Sequence, residues 1–312
     1  MDHLDEIIGQ EIAKRFLRNA LRKECLYNLL LAGPRGVGKR TIAFALAKTL
    51  GCPFDSPSFM LVAPVPPLDK EEKMDEYLKN YLPGNATVHI EDRATIGINQ
   101  IRRLVERLLL LPQKEKKRVV IILEADRMNE EAANAFLKTL EEPPLDTIFI
   151  LTSSRPEYLI PTIRSRCQVV KFSYLKPEEI KNIIFDGEDK FFLGSPGEIL
   201  FLRESNTMEI ARNILKKTPF SVAAAAKLVK EFEEEKLAEL LYALLILYRN
   251  LLYKQLHLSI VDEFDEELTR KAQKISREKL IDILLFLNSN INSLEYNPNY
   301  RILLLNTFLR LP

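Results

Sequence analysis

Gly33-Pro34-Arg35-Gly36-Val37-Gly38-Lys39-Arg40-Thr41 follows a short apolar run, Leu29-Leu30-Leu31-Ala32, and precedes a helical pattern from Ile42 to Leu50. A strand, a glycine-rich turn and a helix in that order make a phosphate cradle. Glycines let backbone N–H groups close around an anion, and the helix N-terminus adds a partial positive charge. Gly33, Gly38 and Lys39 satisfy the P-loop pattern G-x-x-x-x-G-K, with Gly36 as a further flexible point and Lys39 placed to reach the outer phosphates. A glycine turn that binds nothing would explain the turn but not the lysine. One position departs from the pattern: a Ser or Thr should follow the lysine to hold Mg²⁺, and Arg40 stands there. Thr41 comes one residue late, and a one-residue step on a helix turns a side chain by about 100°.

Composition sets outer limits. The 312 residues suffice for two or three domains, and 45 basic residues against 44 acidic ones give no global field for nucleic acid. A DNA contact would need a local patch, and Arg102, Arg103 and the Lys114–Arg118 run are candidates. Three dispersed cysteines, Cys25, Cys52 and Cys167, supply neither a disulfide framework nor a zinc set. The acidic N-terminus has no signal-peptide core, and no apolar run approaches membrane-span length, so a cytoplasmic protein with no membrane contact is expected.

The chain from Gly9 to Glu24 reads as a helix with Ile12, Phe16, Leu17 and Leu21 on one stripe. Apolar runs predict strands at 29–32, 59–63, 87–90, 119–123, 148–151 and 168–172. Helices are expected at 39–50, at 70–81 within a proline-interrupted insertion, at 96–111, after Asn129, and at 157–163. Strands alternating with helices predict an α/β fold with a doubly wound parallel sheet. Any nucleotide would lie at the carboxyl ends of its strands. From Lys176-Pro177 onward everything reads helical. The expected parts are a P-loop domain over 1–172, a small helical lid over 173–205 and a helical collar over 206–312.

Hydrolysis at a P-loop requires an acidic metal ligand at the end of a central strand and a carboxylate that orients water. The central strand here ends Leu123-Glu124-Ala125-Asp126. Leu123 takes the aspartate's place and Glu124 that of the water-orienting glutamate. Both protein contacts to Mg²⁺ are therefore replaced, by Arg40 and Leu123. The alternative is that Asp126, three residues on, rebuilds the metal site.

Gly9-Gln10, the P-loop, Glu124-Ala125-Asp126-Arg127-Met128, Lys138-Thr139-Leu140-Glu141-Glu142-Pro143-Pro144 and Thr162-Ile163-Arg164-Ser165-Arg166-Cys167 carry a resemblance. Together they are similar to bacterial clamp loaders, the AAA+ subunits of the DNA polymerase III holoenzyme, clearly over residues 5–205 and more loosely beyond. The resemblance implies a RecA-like AAA+ sheet domain, a lid and an all-α collar. Within the family the chain is most similar to the delta prime class, because motor subunits keep an intact P-loop and a strand-end aspartate. It also implies that the Ser-Arg-Cys arginine, Arg166, is presented as an arginine finger to ATP on a neighbouring subunit; such fingers contribute roughly 10³–10⁵ in rate. Arg164 could be structural, and Cys167 reads as a small apolar residue.

Two departures follow from the same comparison. Motor subunits sense nucleotide with the arginine of a Gly-Ser-x-Arg stretch, and here Gly194-Ser195-Pro196-Gly197 puts Gly197 in that place. The four-cysteine zinc module of many clamp-loader subunits is represented by Cys52 alone, so no zinc is expected; His89 and His257 are remote in sequence. The implied molecule is a non-hydrolysing subunit that requires no cofactor. It would hold phosphate or nucleotide only weakly and without metal. Implied partners are motor subunits and a delta-type wrench subunit in a pentamer-like ring, with the sliding clamp and primed DNA engaged through the complex. The alternative function is an active motor-type AAA+ ATPase that uses Thr41 or Asp126 in place of the lost ligands. A small-molecule kinase fits poorly with the helical second half.

Overall fold

The computed structural model of the chain describes residues 3–67, 72–84, 94–109, 117–184, 194–204, 206–257, 270, 273–294 and 298–312. The strand expected at 87–90 and the basic residues Lys114–Lys116 lie outside them, as does His89.

Five strands form one parallel sheet: β1 (Leu29–Ala32), β2 (Phe59–Val62), β3 (Arg118–Ile122), β4 (Thr147–Ser153) and β5 (Gln168–Lys171). Their order is β2-β3-β4-β1-β5, with Leu30 beside Leu151 and Val169, and Val120 beside Met60 and Phe149. The strands β1 to β4 are buried along almost their whole length because helices cover both faces of such a sheet, whereas the edge strand β5 is Gln-Val-Val-Lys and partly exposed. Among the described residues the helices of this region are α1 (Glu11–Arg22), α2 (Lys39–Thr49), α3 (Glu72–Leu78), α4 (Ile98–Leu109), α5 (Glu130–Glu141), α6 (Pro161–Ser165) and α7 (Pro177–Ile183). On α5 the Asn129 side chain accepts a hydrogen bond from the Ala132 N–H at 2.8 Å, an N-cap. Ala132, Ala133, Phe136 and Leu140 are buried, and Phe136 meets Phe149 of β4 edge-on with centroids 5.3 Å apart. Truncating such a ring to alanine costs about 3–5 kcal/mol.

Three expectations change. On α1 the buried residues are Ala13, Lys14, Leu17 and Ala20, while Ile12 and Phe16 are 76% and 41% exposed. The helix is rotated relative to its bulkiest side chains: it buries the small Ala13 and Ala20, and Lys14 turns inward to donate to the Ile7 carbonyl at 2.7 Å. The helix expected at 157–163 is instead a single turn at Pro156–Tyr158 followed by α6 from Pro161. Ile160 is held extended by the proline that follows it, and Pro161 then opens α6 at its first position. Arg118, read as part of a basic loop, opens β3 buried and donates to the Leu108 carbonyl at 2.7 Å.

The chain divides into two compact units. The first holds the sheet, runs through Ile183 and includes Gly194–Gly197. The second contains Glu198–Pro312 and is helical in every described element. Helix α8 (Pro196–Glu204) begins in the first unit; beyond it lie α9 (Thr207–Lys217), α10 (Val222–Glu231), α11 (Leu237–Gln255), α12 (Arg277–Ser293) and α13 (Tyr300–Arg310). Helix α11 is the centre of the second unit: it packs against α9 and α12 and buries Leu240, Leu241, Leu244, Leu247, Tyr248 and Leu251. Asn290 of α12 donates to the Thr307 hydroxyl of α13 at 3.0 Å, which satisfies a buried polar group between apolar helices. None of the described helices is long and apolar enough to cross a membrane.

Candidate functional site

The carboxyl ends of β1, β3 and β4 lie side by side, and the P-loop, Leu123–Asp126 and Thr152–Arg155 leave the sheet there. Gly33 is a residue no side chain could replace in this packing. A Cβ on it would stand 2.3 Å from the Phe172 carbonyl oxygen just after β5. Gly36 and Gly38 take positive φ, 67° and 97°, and Gly38 is the N-cap of α2. The loop thus has the backbone of a phosphate cradle, with a helix N-terminus at its base.

The side chains around this cradle are turned to other tasks. Lys39 is 4% exposed, and its ammonium donates to the carbonyls of Gly33 (2.7 Å) and Pro34 (2.6 Å) and to the Ser154 hydroxyl (3.0 Å). An ammonium has three N–H donors, and three acceptors of this chain match them. A phosphate would have to displace such bonds. Arg40 is half-buried, and burial pushes its pKa below the usual arginine range, with the Tyr81 phenol opposing that shift. A guanidinium carries N–H donors and no acceptor, so Arg40 cannot ligate Mg²⁺. Thr41 lies on the exposed side of α2. Leu123 is 3% exposed and its N–H donates to the Val62 carbonyl at 2.9 Å, so it belongs to the core.

Glu124 takes a left-handed conformation (φ 44°, ψ 55°), costly for a residue with a Cβ, and its N–H donates to the Thr152 hydroxyl at 2.9 Å. Asp126 is drawn under the end of β4: its carboxylate accepts from the Ser153 hydroxyl (2.6 Å) and the Ser154 N–H (3.3 Å), and Arg155 lies 3.5 Å away. Burial, and then the neighbouring Glu124, raise its pKa above the ordinary 3.8, while Ser153 and Arg155 act against the rise. Ser154 therefore joins Lys39 on one side to Asp126 on the other. The sequence reading did not single it out, although Thr152-Ser153-Ser154, a polar run closing an apolar strand, is a signal for such a role.

Gly194–Gly197 lies directly over the P-loop. The Ser195 hydroxyl, fully buried, donates to the Arg35 carbonyl at 2.7 Å, and the Gly197 N–H donates to the Gly36 carbonyl at 3.0 Å. A Cβ at Gly197 would stand 2.8 Å from the Gly36 Cα. This strap therefore sits so close to the cradle that its last residue has no room for a side chain. Gln10 ties a third segment to the loop, donating to the Val37 carbonyl (3.2 Å) and the Ser173 carbonyl (2.6 Å) and accepting from the Ser173 N–H.

Arg166 lies away from this cluster, at the C-terminal cap of α6. Its guanidinium pairs with the Glu141 carboxylate at 2.6 Å and donates to the Thr162 carbonyl at 2.9 Å, and the side chain stays 36% exposed. Arg164 is exposed, and burial pushes the Cys167 thiol up to about 12, which leaves it protonated at neutral pH. Arg103 is paired with Asp75 at 2.7 Å; Arg102 is exposed. Among the described residues no group of three or more His, Cys, Asp or Glu could hold a metal ion.

Residues 9–176, from Gly9 through the β5 exit, match the family described as DNA polymerase III, delta subunit. The chain belongs to the DNA polymerase III clamp-loader family of AAA+ proteins. The tau subunit of Bacillus subtilis DNA polymerase III is 32% identical over 193 residues, 59% of this chain and 32% of that protein. The delta′ subunit of the same organism is 31% identical over 173 residues, 55% of this chain and 50% of that protein. The aligned part therefore spans a third to a half of these curated clamp-loader relatives. A gamma subunit-related protein of Thermotoga maritima shares the fold, with a TM-score of 0.50 at 19% identity, covering 95% of this chain and 97% of that one.

Proposed function

We propose that the chain is a clamp-loader subunit of the delta prime type, which does not hydrolyse ATP itself and lends Arg166 to an adjacent motor subunit. The observation that carries this reading is the chemistry at three positions. The two that should hold Mg²⁺ carry an arginine, Arg40, and a core leucine, Leu123, whereas Arg166, outside the P-loop, keeps a side chain that is 36% exposed. A guanidinium brought to a γ-phosphate stabilises the charge that develops in phosphoryl transfer. A lysine enclosed by its own loop supplies no such charge. The three-part division into P-loop domain, lid and collar belongs to this proposal. So do a ring of related subunits with a delta-type partner, the sliding clamp and primed DNA as targets, and a place in the cytoplasm, where chromosomal replication takes place. Any nucleotide at Gly33–Thr41 would bind weakly and without metal.

The test is Arg166→Ala in the complex reconstituted with its partner subunits, clamp and primed DNA. The expected result is loss of about 10³-fold or more in turnover at the one site that Arg166 faces, with assembly intact. Unchanged ATPase would remove the finger role. Equilibrium ATP binding to this chain separates the motor-type alternative, since tight binding that requires Mg²⁺ would mean that the metal site has been rebuilt, by Thr41 or Asp126.

A further inference from the structure

Two signatures of the chain meet at one point. Glu141, in the last turn of α5, and Arg166, at the cap of α6, are 25 positions apart in sequence, yet their side chains are in contact at 2.6 Å. Beneath them lies Asn28, 6% exposed, just before β1. Its side-chain amide nitrogen donates to the carbonyls of both Leu140 (2.9 Å) and Arg166 (3.2 Å), and its backbone carbonyl accepts from the Gln168 N–H at 2.7 Å. One buried amide therefore fixes the backbone on both sides of the ion pair. The end of α5 and the end of α6 cannot drift apart without breaking a buried hydrogen bond.

The guanidinium is gripped at two atoms. Nη1 donates to the Thr162 carbonyl and, at 3.5 Å, to the Ser165 hydroxyl, and Nη2 donates to the Glu141 carboxylate. Two anchors on different nitrogens set both the direction and the plane of a group that carries five N–H donors, and the others remain for an incoming anion. The side chain is 36% exposed, so its own domain does not cover it completely. A long side chain on a surface otherwise samples many rotamers, and ordering it before docking removes that loss from the catalytic step.

We infer that Glu141 is a positioning residue for Arg166: held beside it by Asn28, it aims the guanidinium at the phosphate of a neighbouring subunit's nucleotide. This rests on the finger reading of Arg166.

The experiment uses the reconstituted complex with ATP and primed DNA and compares wild type, Glu141→Gln, Glu141→Asp, Arg166→Ala, Arg166→Lys and Glu141→Gln combined with Arg166→Lys. An exposed ion pair that orients a catalytic group predicts a fall of about twofold to fivefold in kcat for Glu141→Gln, with little change in KM for ATP. Glu141→Asp, which keeps the charge, recovers most of that loss. In the Arg166→Lys background, where a single ammonium has no plane to orient, Glu141→Gln has no further effect. Unchanged kcat in Glu141→Gln, with Arg166→Ala still defective, overturns the positioning role and leaves the finger standing. So does a raised kcat, which would mark Glu141 as a restraint, or an equal loss in the Arg166→Lys background, which would mark a purely structural one. Unchanged ATPase in Arg166→Ala overturns both.

Discussion

The P-loop end of the sheet and the Arg166 corner keep their family motifs to different effect. At the P-loop the backbone is kept and the side chains have turned inward: Lys39 binds its own loop, Leu123 has joined the core, and Asp126 sits under β4. At Arg166 the side chain is the feature kept, partly exposed and gripped by groups from two helices. On the proposed function, the contrast teaches that a binding fold can outlast its ligand chemistry. The same glycines that shape a phosphate cradle also admit close approach of neighbouring backbone, and the domain uses that approach for packing. Arg166 stays 36% exposed while bonded to Glu141 and to the Thr162 carbonyl.

Arg166→Ala, with its loss of about 10³-fold or more at the site faced, is the largest effect expected, and it should leave the melting temperature of the isolated chain nearly unchanged. The opposite pattern is expected of Gly33→Ala. Its Cβ would overlap the Phe172 carbonyl at 2.3 Å, and backbone on backbone has little room to yield. A loss of about 3 kcal/mol or more in urea unfolding is expected, at the upper end for overpacking. A chain that tolerates Gly33→Ala would mean that the β1–β5 exit is looser than the geometry described.

Gly197→Ala sharpens the comparison at a smaller scale. The methyl group would press on the Gly36 Cα at 2.8 Å, so the strap must lift and surrender the Gly197–Gly36 and Ser195–Arg35 hydrogen bonds. About 1–3 kcal/mol of stability should go. Hydrogen exchange at the Gly197 amide, slow in the parent and fast in the variant, would follow the strap directly. Slow exchange in both would show that the contact bends without opening.

How much of this was legible differs by region for physical reasons. The sheet was readable because a strand covered on both faces is apolar at every position, as in Val119-Val120-Ile121-Ile122, and no partner needs to be known to see it. The α1 stripe was misread because periodicity weighs bulk: Ile12 and Phe16 suggested the buried face, but the small Ala13 and Ala20 are what let the helix sit close. Arg118 was read from its charged neighbours, whereas its own carbonyl partner lies ten residues earlier at the end of α4. At the candidate site, Arg40, Leu123 and Gly197 could be singled out as departures from a local pattern. The bonds of Ser154 to Lys39 and of Ser195 to Arg35 span more than a hundred residues and have no local signature.

Asp126 is where the comparison can still be broken, because an ionised carboxylate free to bind Mg²⁺ would return the site to the motor class. Its side chain is 1% exposed, and burial, with Glu124 adding to it, raises its pKa above the ordinary 3.8. A group whose folded pKa exceeds its unfolded value contributes stability that is complete below the unfolded value, here about pH 3.8, and lost as pH rises through the folded one. Asp126→Asn keeps an acceptor for Ser153 and Ser154 but does not titrate. The stability of wild type relative to Asp126→Asn should therefore be greater near pH 4 than at pH 7, read as paired urea unfolding at both. The reverse slope would mean that the Arg155 pairing outweighs burial. If wild type alone also gains thermal stability with millimolar Mg²⁺ at pH 7, Asp126 is a metal ligand and the non-hydrolysing reading falls. With no Mg²⁺ effect in either protein, the carboxylate is a buried strut for the end of β4, and its bonds to Ser153 and Ser154 are its function.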